Sequence, residues 1–203
     1  MQENLIKKIS RERIYPIIRC KDAQGTIDTA NALIDGGIKI LEINVENSSI
    51  YEAIQEVSKN VIVSAGGIIT AQQAHMAIDA GAEIISSPIF QMNMVKISKD
   101  KQIPLIACAS TANEAYTAWK TRVPLIKIFP AHALGGVFYI EDLLRPMPFL
   151  NVMPSGNIIL DDVPDYIRAG AVAVGVGRDF YHNSTFAEIT QKARLVLERL
   201  KDL

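Results

Sequence analysis

An α/β fold of the (β/α)8 TIM-barrel class, with a short N-terminal helix, is predicted for this chain by two observations. First, eight apolar segments of strand length alternate with eight amphipathic segments of helix length along the 203 residues. Strict alternation favours a parallel sheet with helical crossovers. Second, a helix end, a glycine turn and a strand start recur around Gly37, Gly81 and Gly170. This even repetition favours a barrel over an open doubly wound sheet, which usually has fewer strands.

The elements follow in order along the chain. Residues 2–8 mix charged and apolar side chains without the continuous apolar core of a signal peptide, so they predict a short amphipathic helix. The predicted strands are 15–20, 38–45, 61–66, 83–88, 103–109, 125–130, 151–155 and 171–177. The predicted helices are 26–35, 49–59, 71–80, 91–99, 111–122, 138–145, 161–168 and 186–201. N-caps are predicted at Thr70, Ser110 and Ser184-Thr185. Because no linker-like segment interrupts the pattern, residues 1–203 are expected to form one domain.

The composition of the chain excludes several classes of binding partner. The net charge is −1 and the charged residues are scattered, so we expect no nucleic-acid partner. No apolar run approaches the roughly 20 residues of a membrane span, so no membrane association is expected. Cys20 and Cys108 lie in apolar strand segments and are expected to be buried, free thiols in a reducing cytoplasm. The three histidines lack metal-ligand spacing with the cysteines, so we expect no zinc site. This spacing leaves Mg2+ open, and no residue of the chain is predicted as a metal ligand. A small molecule is the expected partner.

Lys127 stands in the middle of an apolar strand, between Ile126 and Ile128. Burying an ammonium there is costly, and desolvation favours the neutral amine that forms Schiff bases. A lysine whose head snorkels to water would have the same sequence pattern. Because side chains alternate along a strand, Lys127 faces the side opposite to the two isoleucines. The aliphatic face should meet the helices, so Lys127 is expected to point into the barrel.

The second strand has the same division between faces. Glu42 shares a face with Asn44 and Glu46, while the aliphatic residues between them face outward. Catalytic groups of this fold gather at the carboxyl ends of the strands, so Glu42 and Lys127 should meet at one site. A purely structural ion pair would also account for the two charges.

Other strand ends contribute further candidate residues. Near the carboxyl ends of the first, fourth and seventh strands lie Arg19, Pro88 and Ser155, and Arg19 in that position is also compatible with a simple surface charge. The last two strands end in glycine-containing turns, and barrels of this class often bind phosphate there through backbone N–H groups. The predicted phosphate site comprises Gly156, Asn157, Gly175, Gly177 and Arg178.

Several short motifs match a known family, above all Lys127-Ile128-Phe129-Pro130-Ala131. The others are residues 16–19, 37–43, 64–66, 109–111 and 175–181. With these motifs the chain resembles the class I aldolases that cleave 2-keto-3-deoxy-6-phosphogluconate, or its galactonate epimer, into pyruvate and glyceraldehyde 3-phosphate. The resemblance implies a Schiff-base lysine at Lys127, an acid/base glutamate at Glu42, and contacts of Pro88 and Phe129 with the pyruvyl group. It also implies a cytoplasmic homotrimer that needs no cofactor.

The chain departs from that family at three positions. Glu46 stands where one branch has an arginine that binds the substrate carboxylate, and Arg19 is the nearest replacement. Gly67 replaces a threonine near the substrate, and Asn157 replaces a glycine of the phosphate loop. Asparagine tolerates left-handed backbone angles, so the loop is expected to survive. The departures leave two alternatives open: a protein that binds a phosphorylated metabolite with little turnover, and an aldolase for a different keto-acid.

Overall fold

Eight parallel strands form a nearly closed barrel in the computed structural model, which describes residues 2–201 and 203. The strands are β1 (Ile14–Ile18), β2 (Ile40–Asn44), β3 (Ile62–Gly66), β4 (Ile84–Ser87), β5 (Leu105–Ala109), β6 (Leu125–Ile128), β7 (Val152–Pro154) and β8 (Val174–Val176). The helices are α1 (Gln2–Glu12), α2 (Ala23–Asp35), α3 (Ile50–Val57), α4 (Ala71–Asp79), α5 (Met92–Asp100), α6 (Ala112–Lys120), α7 (Val137–Leu144), α8 (Val163–Arg168), α9 (Arg178–Tyr181) and α10 (Phe186–Arg199), with a 3-10 turn at Leu160–Asp162. The predicted TIM barrel with a short N-terminal helix is confirmed.

The strands are ordered β7-β6-β5-β4-β3-β2-β1-β8, so each one pairs with its neighbours in the chain. The two ends of this order meet through a parallel bridge between Ser155 and Gly175. The Val172 N–H also donates to the Val152 carbonyl at 3.0 Å. Because all strands run the same way, their carboxyl ends form one rim of the barrel.

The barrel interior is a small apolar cluster, separate from the larger core between the strands and the helices. Along the strands, residues that point into this interior cluster alternate with residues that belong to the outer core. Ile9 of α1 also belongs to the interior cluster and packs at the amino ends of the strands. Ile126 and Ile128 belong to the outer core, as do Leu41 and Ile43. The inward directions predicted for Lys127 and Glu42 are therefore confirmed.

Two of the predicted helix caps are confirmed. Thr70 and Thr185 each close a capping box at the start of α4 and α10. The cap predicted at Ser110 is wrong, because Thr111 has the extended backbone of an N-cap and its hydroxyl accepts from the Glu114 N–H. Helix α9 was not predicted, since a single turn is too short to show a periodic pattern. Within the described residues, no helix has the length and apolar character needed to cross a membrane.

Candidate active site

A cavity of about 710 Å3 opens at the carboxyl ends of the strands. This volume suits a small-molecule ligand. Most of the predicted site residues line it, namely Arg19, Glu42, Gly67, Pro88, Lys127, Phe129, Ser155, Gly156, Asn157, Gly177 and Arg178. The two exceptions are Glu46 and Gly175, which lie outside the lining.

A buried ion pair lies in the cavity wall. The Lys127 ammonium donates to both carboxylate oxygens of Glu42, at 2.7 and 2.6 Å, and to the Ser86 hydroxyl at 3.0 Å. The two charged side chains are only 6% and 3% exposed. The three residues come from β6, β2 and β4, so the barrel brings together groups that are far apart in the chain. Burying such a pair costs desolvation energy that its attraction only partly offsets, so a functional reason for it is expected.

Gly66 makes room for the carboxylate. A Cβ built on Gly66 would lie 2.5 Å from Glu42 Oε1 and would also collide with the Asn44 side chain. Any other residue at this position would displace Glu42 from Lys127. The glycine that ends β3 is therefore part of what positions the pair.

Ser86 and Cys108 are cavity residues that sequence reasoning did not assign to the site. Ser86 lies two residues before Pro88, on the same face of β4, so alternation from Pro88 would have found it. Cys108 is the neighbour of Lys127 across the β5–β6 pair. Cys108 is a free, buried thiol, as predicted. Burial was also predicted for Cys20 and is wrong there, because β1 ends at Ile18 and leaves this free thiol only half-buried. Burial raises the pKa of the Cys108 thiol to about 11. Cys108 thus stays protonated at neutral pH and adds no charge beside the lysine.

Glu46 does not line the cavity, so its predicted contact with the substrate stays a prediction. It lies beyond Asn44, where β2 has ended and strict alternation no longer applies. Its Oε1 lies 3.1 Å from the Arg19 guanidinium in an ion pair, and the side chains of Glu46 and Arg19 are 37% and 62% exposed. The second carboxylate is thus paired with the cation expected to replace the missing arginine. Since the pair is exposed, it is weak and easily exchanged for another partner.

The loop after β7 has the backbone that was predicted. Asn157 has a φ of +52° and Gly156 a φ of +103°, both in the left-handed region. A Cβ at Gly156 would lie 3.0 Å from the Phe129 ring, so glycine is also needed for close approach. Gly175 is different: it is buried within β8, outside the cavity lining, where a Cβ would lie 2.9 Å from the Ser155 side chain. Gly175 thus has a packing role against Ser155, and its predicted phosphate contact stays a prediction.

The loop after β8 continues directly into α9. Arg178 is the first residue of this helix, and its guanidinium lies 3.3 Å from His182 Nε2. The Tyr181 hydroxyl accepts a hydrogen bond from the Arg19 N–H at 3.1 Å and links the segments that follow the neighbouring strands β8 and β1. Lys192 of α10 also lines this side of the cavity. Across residues 2–201 and 203, no three His, Cys, Asp or Glu side chains are grouped to hold a metal ion.

Comparison with known proteins identifies the family. The model of the family described as KDPG and KHG aldolase matches residues 5–193. The 2-dehydro-3-deoxy-phosphogluconate aldolase of Dickeya dadantii is 30% identical over 189 residues, 89% of each chain. The enzyme of the same name from Haemophilus influenzae is 28% identical over 207 residues, 98% of each chain.

Solved structures share the fold. The 2-keto-3-deoxy-6-phospho-gluconate aldolase of Zymomonas mobilis superposes with a TM-score of 0.84 at 22% identity, over 93% of this chain and 94% of that one. The KDPG aldolase of Legionella pneumophila, solved with pyruvate captured as a covalent carbinolamine, gives 0.84 at 23% identity, over 93% and 95%. Because the family model spans nearly the whole barrel, the chain belongs to the KDPG and KHG aldolase family.

Proposed function

We propose that this protein is a lyase, a class I aldolase that cleaves a phosphorylated 2-keto-3-deoxy sugar acid into pyruvate and glyceraldehyde 3-phosphate. The observation that carries the proposal is the buried contact between Lys127 and Glu42 in the cavity. A carboxylate in hydrogen-bonding contact with a lysine amine can accept a proton from it and return that proton later in the reaction, as general acid–base catalysis at a Schiff-base lysine requires. Membership of an aldolase family supports the same chemistry.

The first half of the reaction forms the Schiff base. Lys127 transfers a proton to Glu42, and the neutral amine adds to the C2 ketone to give a carbinolamine. Glu42, now a carboxylic acid, protonates the carbinolamine hydroxyl, which leaves as water while the nitrogen lone pair forms the iminium. Ser86 accepts from Lys127 and holds the nitrogen in position before attack.

The second half breaks the carbon–carbon bond. The Glu42 carboxylate takes the proton of the C4 hydroxyl, and the electrons of the C3–C4 bond flow into the iminium. Glyceraldehyde 3-phosphate leaves, and an enamine of pyruvate stays on Lys127. Protonation at C3 and hydrolysis of the iminium then release pyruvate and restore the amine. No step requires a cofactor.

The remaining cavity residues hold the two ends of the substrate. In this proposal Pro88, Phe129 and Gly67 surround the pyruvyl group, and Arg19 exchanges Glu46 for the substrate carboxylate. The loops after β7 and β8 bind the phosphate through Ser155, Gly156, Asn157, Gly177 and Arg178. Binding energy from the distant phosphate positions the ketone beside the amine.

Three finer expectations belong to the same proposal. Residues 1–203 form one domain, and the protein is a homotrimer located in the cytoplasm. The trimer rests on the family resemblance alone. Two free cysteines, Cys20 and Cys108, support a reducing compartment.

The test is a turnover panel that measures pyruvate release. The substrates are the 6-phosphorylated gluconate and galactonate keto-acids and one unphosphorylated keto-acid. We expect release from at least one phosphorylated epimer, slower release from the unphosphorylated acid, and loss of release in Lys127→Met. Lys201→Met is the matched control, because Lys201 lies outside the cavity and pairs with Glu198.

Two outcomes would contradict the proposal. Ligand-induced thermal stabilisation without any pyruvate release would indicate a protein that binds phosphorylated metabolites. Faster release from the unphosphorylated acid than from both epimers would indicate an aldolase for a different keto-acid.

A further inference from the structure

Lys192 is a half-buried cation on the β8 side of the cavity, outside every set of residues assigned above to the substrate. Its ammonium donates to the backbone carbonyl of Asp179 at 2.7 Å and to the Ser184 hydroxyl at 2.9 Å. An ammonium has three N–H donors, and both of these acceptors are neutral. These two contacts therefore leave one N–H of the ammonium without an acceptor and do not neutralise its positive charge.

No carboxylate offsets this charge at short range. Within the part of the chain that the structure describes, the ion pairs closer than 4.0 Å do not include Lys192. The carboxylate of Asp179 accepts from the Leu160 N–H at 2.8 Å. Glu188, one turn earlier on α10, has a lowered pKa mainly because Thr185 donates to it, and Lys192 is the weakest cause. The described carboxylates near Lys192 thus either act on it weakly, as Glu188 does, or bond elsewhere, as Asp179 does. A half-buried cation with so little compensation favours an anionic ligand beside it.

The surroundings of Lys192 are also cationic. Arg178 and His182 line the same side of the cavity, and the described residues give Arg178 no ion pair. Against these groups Asp179 is the one carboxylate in that part of the lining. The left-handed backbone at Asn157 lies on the same rim. This end of the cavity therefore combines two permanent positive charges with a loop suited to anions.

Lys192 also ties α10 to α9, because its bond to the Asp179 carbonyl reaches the residue directly after Arg178. The lysine thus fixes the loop from which the arginine projects. The Lys192 ammonium and the Arg178 guanidinium are therefore placed to bind the same anionic group of a ligand.

We propose that Lys192 binds the substrate phosphate, as a phosphate monoester dianion, and sets the preference for phosphorylated over unphosphorylated keto-acids. The identity of the substrate rests on the proposed function. Binding of a phosphate anion beside Lys192 does not depend on turnover. Lys192 is thus a specificity-determining residue that acts far from the reacting atoms.

The test uses inorganic phosphate as the probe on the full chain, with its Kd measured by calorimetry and by thermal shift. Lys192→Gln keeps an amide that can donate to Asp179 and Ser184 but removes the charge, whereas Lys192→Arg keeps the charge. Lys201→Gln is the matched control. Because hydrogen bonds to charged groups contribute about 1.5–3 kcal/mol, Lys192→Gln should weaken phosphate binding by about 10- to 100-fold.

The kinetic readout separates a specificity role from a structural one. Lys192→Gln should raise KM for the phosphorylated substrate by a similar factor and leave the unphosphorylated one within about twofold, while Lys192→Arg should restore most of the loss. Phosphate affinity unchanged in Lys192→Gln, equal losses with both substrates, or an Arg variant as weak as the Gln variant would overturn the inference. Absence of turnover in the unmodified protein would refute the proposed function alone, because the phosphate Kd still decides the role of Lys192.

Discussion

Replacing Glu42 by glutamine is expected to destabilise the fold as well as to slow the reaction. The substitution leaves the shape of the side chain nearly unchanged but removes the charge that faces Lys127. The Lys127 side chain is only 6% exposed, so water replaces the lost carboxylate poorly. Its remaining partner is the neutral hydroxyl of Ser86, at 3.0 Å. A buried ammonium would thus lose its only counter-ion among the described residues.

Breaking a buried pair on one side typically costs about 3–5 kcal/mol of unfolding free energy. Lys127→Met should cost a similar amount, because it leaves the Glu42 carboxylate buried with no cation. The double variant Glu42→Gln/Lys127→Met should cost much less than the sum, since both charges are removed together. We expect a coupling free energy of roughly 3 kcal/mol or more.

The assay is urea unfolding of the three variants and the unmodified protein, followed by circular dichroism at one pH. The slope of free energy against urea should stay constant, so that differences in the midpoint report stability. Pyruvate release by Glu42→Gln should fall by roughly 10²- to 10⁴-fold, as for loss of a general acid–base group. Additive losses in the cycle, or full activity in Glu42→Gln, would refute the account of this pair.

Three further predictions concern residues other than Lys127 and Glu42. Glu46→Gln should free Arg19 and lower KM for the keto-acid by about two- to fivefold, since an exposed pair contributes about 0.2–1 kcal/mol; an unchanged or higher KM would contradict this. Cys108 should react with iodoacetamide at pH 8 about 100-fold more slowly than an ordinary thiol, because its pKa is raised from 9.0 to about 11. The folded chain holds this proton more tightly than the unfolded chain, so the associated stability is lost as the pH rises from about 9 to about 11. Mass spectrometry of the Cys108 peptide after labelling at pH 8 tests the reactivity, and rapid labelling would refute it. Urea midpoints measured from pH 8 to pH 11 test the stability, and an equal pH dependence in Cys108→Ala would refute it. Thr111→Ala should cost about 1 kcal/mol of unfolding free energy through loss of the α6 cap, and an unchanged urea midpoint would argue against that cap.

The fold and the directions of Lys127 and Glu42 follow from local geometry, which explains why the sequence predicts them. Side chains alternate along any strand, and a charged residue on an otherwise aliphatic strand marks the interior face. The direction of Glu46 cannot be predicted in the same way. Alternation was extended past Asn44, the last residue of β2, into a segment with no strand geometry.

Other site residues depend on packing that the local pattern does not contain. Ser86 is uncharged, so the sequence pattern does not mark it as a site residue, although alternation gives the direction of its side chain. Lys192 reaches the cavity only because α10 packs beside α9. The periodic pattern of α10 predicts a helix but does not predict which helix lies next to it. Gly175 was assigned to a loop because glycine is common in turns, whereas β8 needs it for the close approach of Ser155.

The central claim is that Lys127 is the residue that forms the Schiff base. The most direct test is reduction with sodium borohydride in the presence of pyruvate, followed by peptide mass spectrometry. Lys192 is the internal control, because it is the other lysine that lines the cavity within the described residues. We predict that the mass of a reduced pyruvyl group appears on Lys127, is absent from Lys192, and is lost in Lys127→Met. No adduct, or an adduct on Lys192 in place of Lys127, would contradict the claim.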